Sequence, residues 1–500
     1  MTSLTFYGGV GEIGGNKILL KDQDTHVFLD FGMSFNQSSK YFSEFLKPRK
    51  CNGLGDYFAT ELLPDIPGVY REDYLRHMGR EKEDQLVDAV LISHAHIDHI
   101  AYVHHLRKEV ELWMSQGSRA IMQTFQDTRA GGENDLLEYV PCFEMRSKDK
   151  GEGYTKTTRK DGFEYRPVKV FEYGEKFKVG DLEVVAYEVD HSLPGAAAFL
   201  IHASEGNILY TGDFRFHGYL GDKTREMVEA VSGEGVDVVI TEGTRIESTS
   251  GTSEAEVYDN AKSLVDGTGE LVVTTFPVRD LTRFTTFHKI ARETDRKLVI
   301  GFDQAYLLEQ FNKFSDRYPK PDDANLCLFA ERKTWGIAGR DDYLSNVEGV
   351  CYPDNIRDQD YDTWEREYLH RGNTVNHCDL ADQSEYILIC GYFQLNELID
   401  VKPNPGSRYI RSITEPFTDE MAFDAQRVIN WLDLLGLELY GMRGDEKLHA
   451  SGHADGSQIA EMLREINSTM VIPVHTEKPD YLKASFSNIW SPVSRGIYSL

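Results

Sequence analysis

The stretch VDAVLISHAHIDHI, residues 87–100, sets the strongest constraint on what this chain can fold into. Its apolar run reads as a buried strand, Ala89 to Ser93, that passes into a loop and then into a helix beginning near Asp98. Three histidines and an aspartate crowd into six positions of that loop: His94, His96, Asp98 and His99. Side chains at i and i+2 of an extended strand end point the same way, so His94 and His96 can share one cation. Asp98 and His99 come after the turn and can face a second cation a few ångströms away. The bland alternative is a polar turn whose imidazoles point at water.

The same pattern recurs. Asp30 closes the run VFLD, His191 follows a strand in VDHSLPG, Asp213 follows LYTG, and His475 follows VIPV. Taken alone, His191 is a buried structural histidine, and Asp213 is an ordinary turn carboxylate. Five strand ends that each deliver a metal-type side chain are hard to credit to turns. Loops at strand ends are where a rigid scaffold usually presents its chemistry.

With 500 residues the chain can make two or three domains around real cores. No stretch approaches the roughly 18–20 apolar residues that a membrane helix needs, and the N-terminus lacks a basic region followed by an apolar one. The six cysteines, Cys51, Cys142, Cys327, Cys351, Cys378 and Cys390, form no CxxC pair. They fit free thiols in a reducing, cytoplasmic compartment. The formal net charge of −28 provides no global attraction to nucleic acid, so any phosphate backbone must be held by a local basic strip or by metals. The glycines of GGVGEIGG, Gly9, Gly11 and Gly14, match a dinucleotide fingerprint, with Asp30 roughly 20 residues on. The following NKILLKDQDTHVFLDFG reads as strand, turn, strand, so these glycines are turn residues. Strands dominate to about residue 245, and from about 250 helices and strands alternate, the signature of a parallel α/β unit.

The set VFLDFG, SHAHIDH, VDHSLPG and TGDF resembles, in order and spacing, the metallo-β-lactamase fold superfamily. TEGT, ASGHA and PVHTE resemble the further motifs of its nucleic-acid-processing β-CASP branch. GGVGEIGGNK and LLPDIP bring the likeness closest to ribonuclease J-type enzymes, in a short, archaeal-like form without the C-terminal domain. The resemblance implies an αββα sandwich from residues 1–244 and 426–500, the latter carrying RNA-specificity type motifs. It places an α/β β-CASP domain at 245–425 and the site in the cleft between them. It also implies two divalent ions, zinc or alternatively manganese: one on His94, His96 and His191, the other on Asp98, His99 and His475, with Asp213 bridging. Asp30 would orient a ligand or the attacking water. His453, in ASGHA, would be the general acid and Glu242, in TEGT, would hold its imidazole, with Asp213 and Asp98 also in the catalytic set. His449 and Ser451 would contact substrate phosphates.

The activity implied is hydrolysis of single-stranded RNA, exo- or endonucleolytic, by a monomer or homodimer with no membrane role. ILICGYFQLNELIDVKPNPG offers no serine-rich loop of the kind that holds a 5′-monophosphate in this family. Arg279 and Arg283, in TTFPVRDLTRF, read either as phosphate contacts or as solvated helix-start residues. His104 and His105 read as core-edge and surface residues, and His217 as a possible cleft residue. The rivals are a hydrolase of a small ester, lactone or thioester on the same core, a DNA nuclease, and a non-catalytic assembly module.

Overall fold

The structure is a computed structural model that describes all residues except 44, 129–134, 143, 157–161, 334–335, 337–356, 415–418 and 444–445. Chain contacts divide it into two compact units, Met1–Ser250 with Gly452–Leu500, and Gly251–Ser451.

The first unit holds two sheets. One has seven strands in the spatial order Val168–Val170, Glu111–Met114, Ala89–Leu91, Thr25–Leu29, Lys17–Asp22, Thr2–Gly8, Ile497–Ser499. The other has six: Lys176–Val179, Leu182–Glu188, Ala197–Ala203, Gly206–Tyr210, Val238–Thr241, Met470–Pro473. Alternate residues of both meet in one core that includes Leu20, Leu29, Leu91, Val184, Phe199, Ile240 and Ile472. Period-two alternation thus directs half of each strand to the sandwich interior. The far side of the second sheet is covered by the amphipathic helices Gly221–Ser232 and Gly456–Ile466, through Met227, Val231, Ile459 and Leu463. On the far side of the first sheet Phe28 packs on Phe31 and Phe31 on Tyr70. Ala89–Leu91 is central, between two parallel neighbours, which accounts for its unbroken apolar composition.

The Gly8–Gly15 loop joins the antiparallel strands Thr2–Gly8 and Lys17–Asp22; no dinucleotide-type helix follows it. The helix expected near Asp98 is one turn long, Ile97–Ile100, and passes into a 3₁₀ turn, Ala101–His105. His105 lies in the core and not at the surface. Its ring packs against Tyr57, Tyr74 and Tyr102.

The second unit is built on one all-parallel sheet, ordered Thr374–Val375, Leu326–Phe329, Lys297–Ile300, Tyr386–Ile389, Val272–Thr275, Arg408–Arg411, Glu438–Tyr440. Helices Glu254–Asp266, Leu281–Glu293, Phe302–Asn312 and Asp419–Leu435 alternate with its strands. The boundary expected at 425 falls instead at 451, because Glu438–Tyr440 completes this sheet. The opening boundary lies at 250 rather than 244. Among the described residues no helix is long and apolar enough to cross a membrane.

Arg283 is neither a phosphate contact nor solvated. It is fully buried, paired with Glu254 (Nη2–Oε1 3.0 Å, Nε–Oε2 3.2 Å), and it donates to Ser412 O at 2.8 Å and to the Ser412 hydroxyl. Removing one partner of such a pair strands a buried charge and costs about 3–5 kcal/mol, whereas replacing both costs far less. Arg283→Met should therefore lower the stability of this unit by about that amount in urea unfolding. Arg283→Met combined with Glu254→Leu should recover most of the loss.

Candidate metal centre

Every candidate donor stands just beyond a strand, on the loop that follows one or, for Asp98 and His99, in the one-turn helix Ile97–Ile100. His94 lies just beyond Ala89–Leu91, His191 beyond Leu182–Glu188, Asp213 beyond Gly206–Tyr210 and His475 beyond Met470–Pro473. Their ligand atoms converge in two groups, His94, His96, His191 and Asp213, and Asp98, His99 and His475, each lying within 4.8 Å of one another. Oδ2 of Asp213 faces both groups: it is 3.6 Å from His94 Nε2 and 3.3 and 3.6 Å from Nε2 of His99 and His475. Asp98 Oδ2 lies 3.1 Å from His475 Nε2.

Neighbouring groups decide which nitrogen each ring presents. The Ser93 hydroxyl donates to Asp30 Oδ2 (2.7 Å), so His94 Nδ1, 3.0 Å from Ser93 Oγ, is the donor of that contact, and its Nε2 carries a lone pair. His191 Nδ1 donates to the Gly452 carbonyl at 2.5 Å, which leaves its Nε2 a lone pair too. Both Nε2 atoms point at His96 Nδ1, at 2.9 and 3.0 Å. Three ring nitrogens thus converge with at most one proton to share. His99 Nδ1 donates to Asp30 Oδ2 at 2.7 Å, and among the described residues the buried Asp213 Oδ1 has no hydrogen-bond partner. Lone pairs aimed at one point, with a buried carboxylate oxygen left over, are what a cation fits.

Electrostatics agree for the first group. In the second, against burial, Asp213, Asp30 and Asp98 push His99 well above the usual histidine range and Asp213 and Asp98 raise His475, so a cation there would displace protons. Burial, together with the neighbouring imidazoles, pushes His94 and His191 well below the usual histidine range, so both are neutral. Burial alone would raise Asp213, but His475 and His99 hold it well below the usual carboxylate range. Asp98 is held low by His99 and His475 against the same burial.

Asp30 accepts from Ser93 N and Oγ, His99 Nδ1 and the Tyr210 hydroxyl, at 2.7, 2.7, 2.7 and 2.6 Å. It therefore orients the His99 ring. Ser93, Tyr210, Asn16 and Thr244 are functional neighbours that the sequence reading passed over. Asn16 donates to the Tyr210 hydroxyl (3.0 Å), and the Thr244 hydroxyl meets His475 Nδ1 at 2.7 Å. All four lie inside motifs already quoted (SHAHIDH, LYTGDF, GGNK, TEGT), and their hydroxyl or amide groups beside metal-type residues were the available signal. Two glycines let the backbone close on Asp98. A Cβ on Gly14, at φ +82°, would lie 2.6 Å from its Oδ2, and one on Gly32 would lie 1.7 Å from its carbonyl oxygen.

His453 Nδ1 pairs with Glu242 Oε2 at 2.9 Å, and Glu242 Oε1 accepts from Phe214 N at 2.9 Å. Burial opposes charge on His453, yet Glu242, Asp213 and Asp98 prevail and push it up to about 9. His449 and Ser451 are half-buried at the end of the second unit, and neither is in a donor group. His217, half-buried, is in none either.

The sequence of residues 64–275 matches the β-lactamase superfamily domain, and residues 443–487 match the Zn-dependent metallo-hydrolase RNA specificity domain. In these two matches the chain is similar to metallo-β-lactamase-type hydrolases that carry an RNA specificity domain. Over 95% of its length it is similar to ribonuclease J. It is 22% identical to ribonuclease J of Mycoplasma genitalium, covering 68% of that protein, and 24% identical to ribonuclease J of Pyrococcus abyssi, covering 90%. A crystal structure of an Enterococcus faecalis protein of unknown function shares the fold, with a TM-score of 0.69 at 22% identity over the whole of both chains.

Carboxylates that orient a ligating imidazole typically contribute 10–100-fold to metal affinity. Asp30→Asn should weaken zinc retention by that factor in competition with a chromogenic chelator.

Proposed function

We propose that this protein is a metal-dependent ribonuclease of the ribonuclease J type, cutting phosphodiester bonds of single-stranded RNA, and that Gly251–Ser451 is its β-CASP domain. The observation that carries the reading is the pair of buried Glu242 and half-buried His453, 2.9 Å apart and in the same cluster as Asp213. A metal-binding pocket alone serves many hydrolases. A charged imidazole beside it serves a reaction whose leaving group is a poorly stabilised alkoxide.

His94, His96 and His191 would hold one divalent ion, Asp98, His99 and His475 a second, with Asp213 between them. Imidazole and carboxylate donors suit zinc, and the carboxylate oxygens also admit manganese. When bound, such a pair acidifies water and neutralises phosphodiester charge. The chain's own residues do the rest. Asp30 and Thr244 keep the rings of His99 and His475 turned toward the centre. Glu242 occupies Nδ1 of His453, so Nε2 is the nitrogen that offers a proton to the departing 3′-oxygen. His449 and Ser451 are the nearest sequence neighbours of His453 suited to holding substrate phosphates. The RNA specificity match at 443–487 favours RNA over a small ester, lactone or thioester. The free cysteines among the described residues, Cys51, Cys142, Cys327, Cys378 and Cys390, suit a reducing, cytoplasmic setting.

The test compares cleavage of 5′-monophosphorylated RNA, 5′-triphosphorylated RNA and DNA of one sequence, with added Zn²⁺ or Mn²⁺ and with chelator. Metal-dependent RNA cleavage is expected, and its product ladder separates exo from endo action. Absence of any oligonucleotide cleavage by metal-loaded protein would overturn the reading. His453→Ala should lower kcat by about 10²–10⁴-fold, the usual worth of a positioned acid.

Because Glu242 raises the folded-state pKa of His453, the proton is present below that value and lost as pH climbs through it. Glu242→Gln removes the raising charge, so the alkaline limb of the kcat profile should move to lower pH while the acid limb stays.

A further inference from the structure

We propose that residues 35–43 and 45–50, none of them buried, are a landing surface for single-stranded RNA, an inference that rests on the ribonuclease reading. On a chain of net charge −28, the sequence from 35 to 50 carries Lys40, Lys47, Arg49 and Lys50 against one acid, Glu44, a local excess of three positive charges. The cations alternate with apolar side chains open to solvent: Phe45 is 91% exposed, Leu46 60%, Tyr41 50% and Phe35 48%. Single exposed apolar residues are ordinary, but an interleaved run of them marks a contact surface.

Both feet of the stretch are anchored. Phe31 N donates to His99 O (2.8 Å) and Met33 N to Ile97 O (3.3 Å), so it leaves the fold directly from the metal loop. Ser34 caps the short helix Phe35–Ser39 and packs against Gly15. At the other end Arg49 grips Asp56 with two bonds, Nη2–Oδ1 2.6 Å and Nε–Oδ2 2.9 Å. No described residue of the crest between them is buried. The Lys47 and Lys50 ammonium groups make no hydrogen bond or ion pair among the described residues.

Lysines on one stretch with exposed aromatic rings suit a single strand, whose phosphates pair with the cations while its bases stack on the rings without regard to sequence. Charge complementarity selects a phosphate-bearing strand over the same stretch of a second copy, whose own local positive excess would repel it. The stretch would supply what the acidic exterior otherwise lacks, a cationic approach that begins at the metal centre.

The test measures binding of a fluorescent 20-nucleotide RNA by anisotropy, using metal-loaded full-length protein that carries His453→Ala so that bound RNA persists. Lys47→Glu with Lys50→Glu should weaken binding at least tenfold and reduce the salt slope by about 1.4, the value for two phosphate contacts on a single strand. Phe45→Ala should weaken binding about 5–100-fold, the range for one stacked base. Lys178→Glu, on an edge strand of the second sheet, controls for net charge and should stay within twofold. All sites are on the surface, and thermal melts verify folding. If the parent binds RNA and both variants bind within twofold of it, the landing surface falls and the ribonuclease reading stands. Intact RNA affinity with lost self-association in sedimentation would assign the surface to a second copy and overturn the proposal. If the parent fails to bind RNA, the ribonuclease reading and this inference fall together.

Discussion

One carboxylate ties the active half of this molecule together. Asp30 sits with no solvent contact at the end of a strand of the first sheet. It accepts hydrogen bonds from Ser93 twice, from His99 and, across the sandwich, from Tyr210 at the end of a strand of the second sheet. A buried charge is tolerated only when its lone pairs are filled, and here four donors fill them. The same bonds orient His99 and, through Ser93, His94. Satisfying one charge therefore also aligns the strand ends of two sheets and selects the tautomer of two rings.

The rest of the centre follows the same economy. His191 is oriented by a backbone carbonyl next to His453, and His475 by Thr244, which follows the strand that leads to Glu242. Asp30 and His475 both adopt positive φ, +57° and +51°, a conformation that residues with side chains seldom take. Each ends a buried strand, and the left-handed step turns its side chain into the centre. Strain of this kind persists where surrounding structure over-determines it, and the hydrogen bonds to both residues do so.

The site was unusually legible in the sequence, for a physical reason. A donor set assembled from strand ends leaves a local signature at each one, an apolar run and then a histidine or aspartate, so His94, His96, Asp98, His99, His191, Asp213 and His475 could all be named from the chain. Features that depend on distant contacts were not legible. Arg283 reads as a helix-start cation, and nothing local reveals that Glu254, twenty-nine positions away, buries it. His105 sits between His104 and Leu106 in sequence but among tyrosines in space. The insert ends at 451 and not at 425 because the three-residue strand Glu438–Tyr440 is recruited to its sheet by Arg408–Arg411, and so short a strand has no periodicity to read.

The sequence by itself determined which residues are candidates for the chemistry, the order in which they come and the kind of sheet that presents them, because alternation and apolar runs are local properties. Only the tertiary structure decided which nitrogen of each imidazole faces inward, that Asp213 Oδ2 stands between two groups of donors, and that Glu242 holds His453 charged. Those outcomes depend on distances between segments hundreds of residues apart, and burial and neighbouring charge, which set proton positions, exist only once the chain has folded.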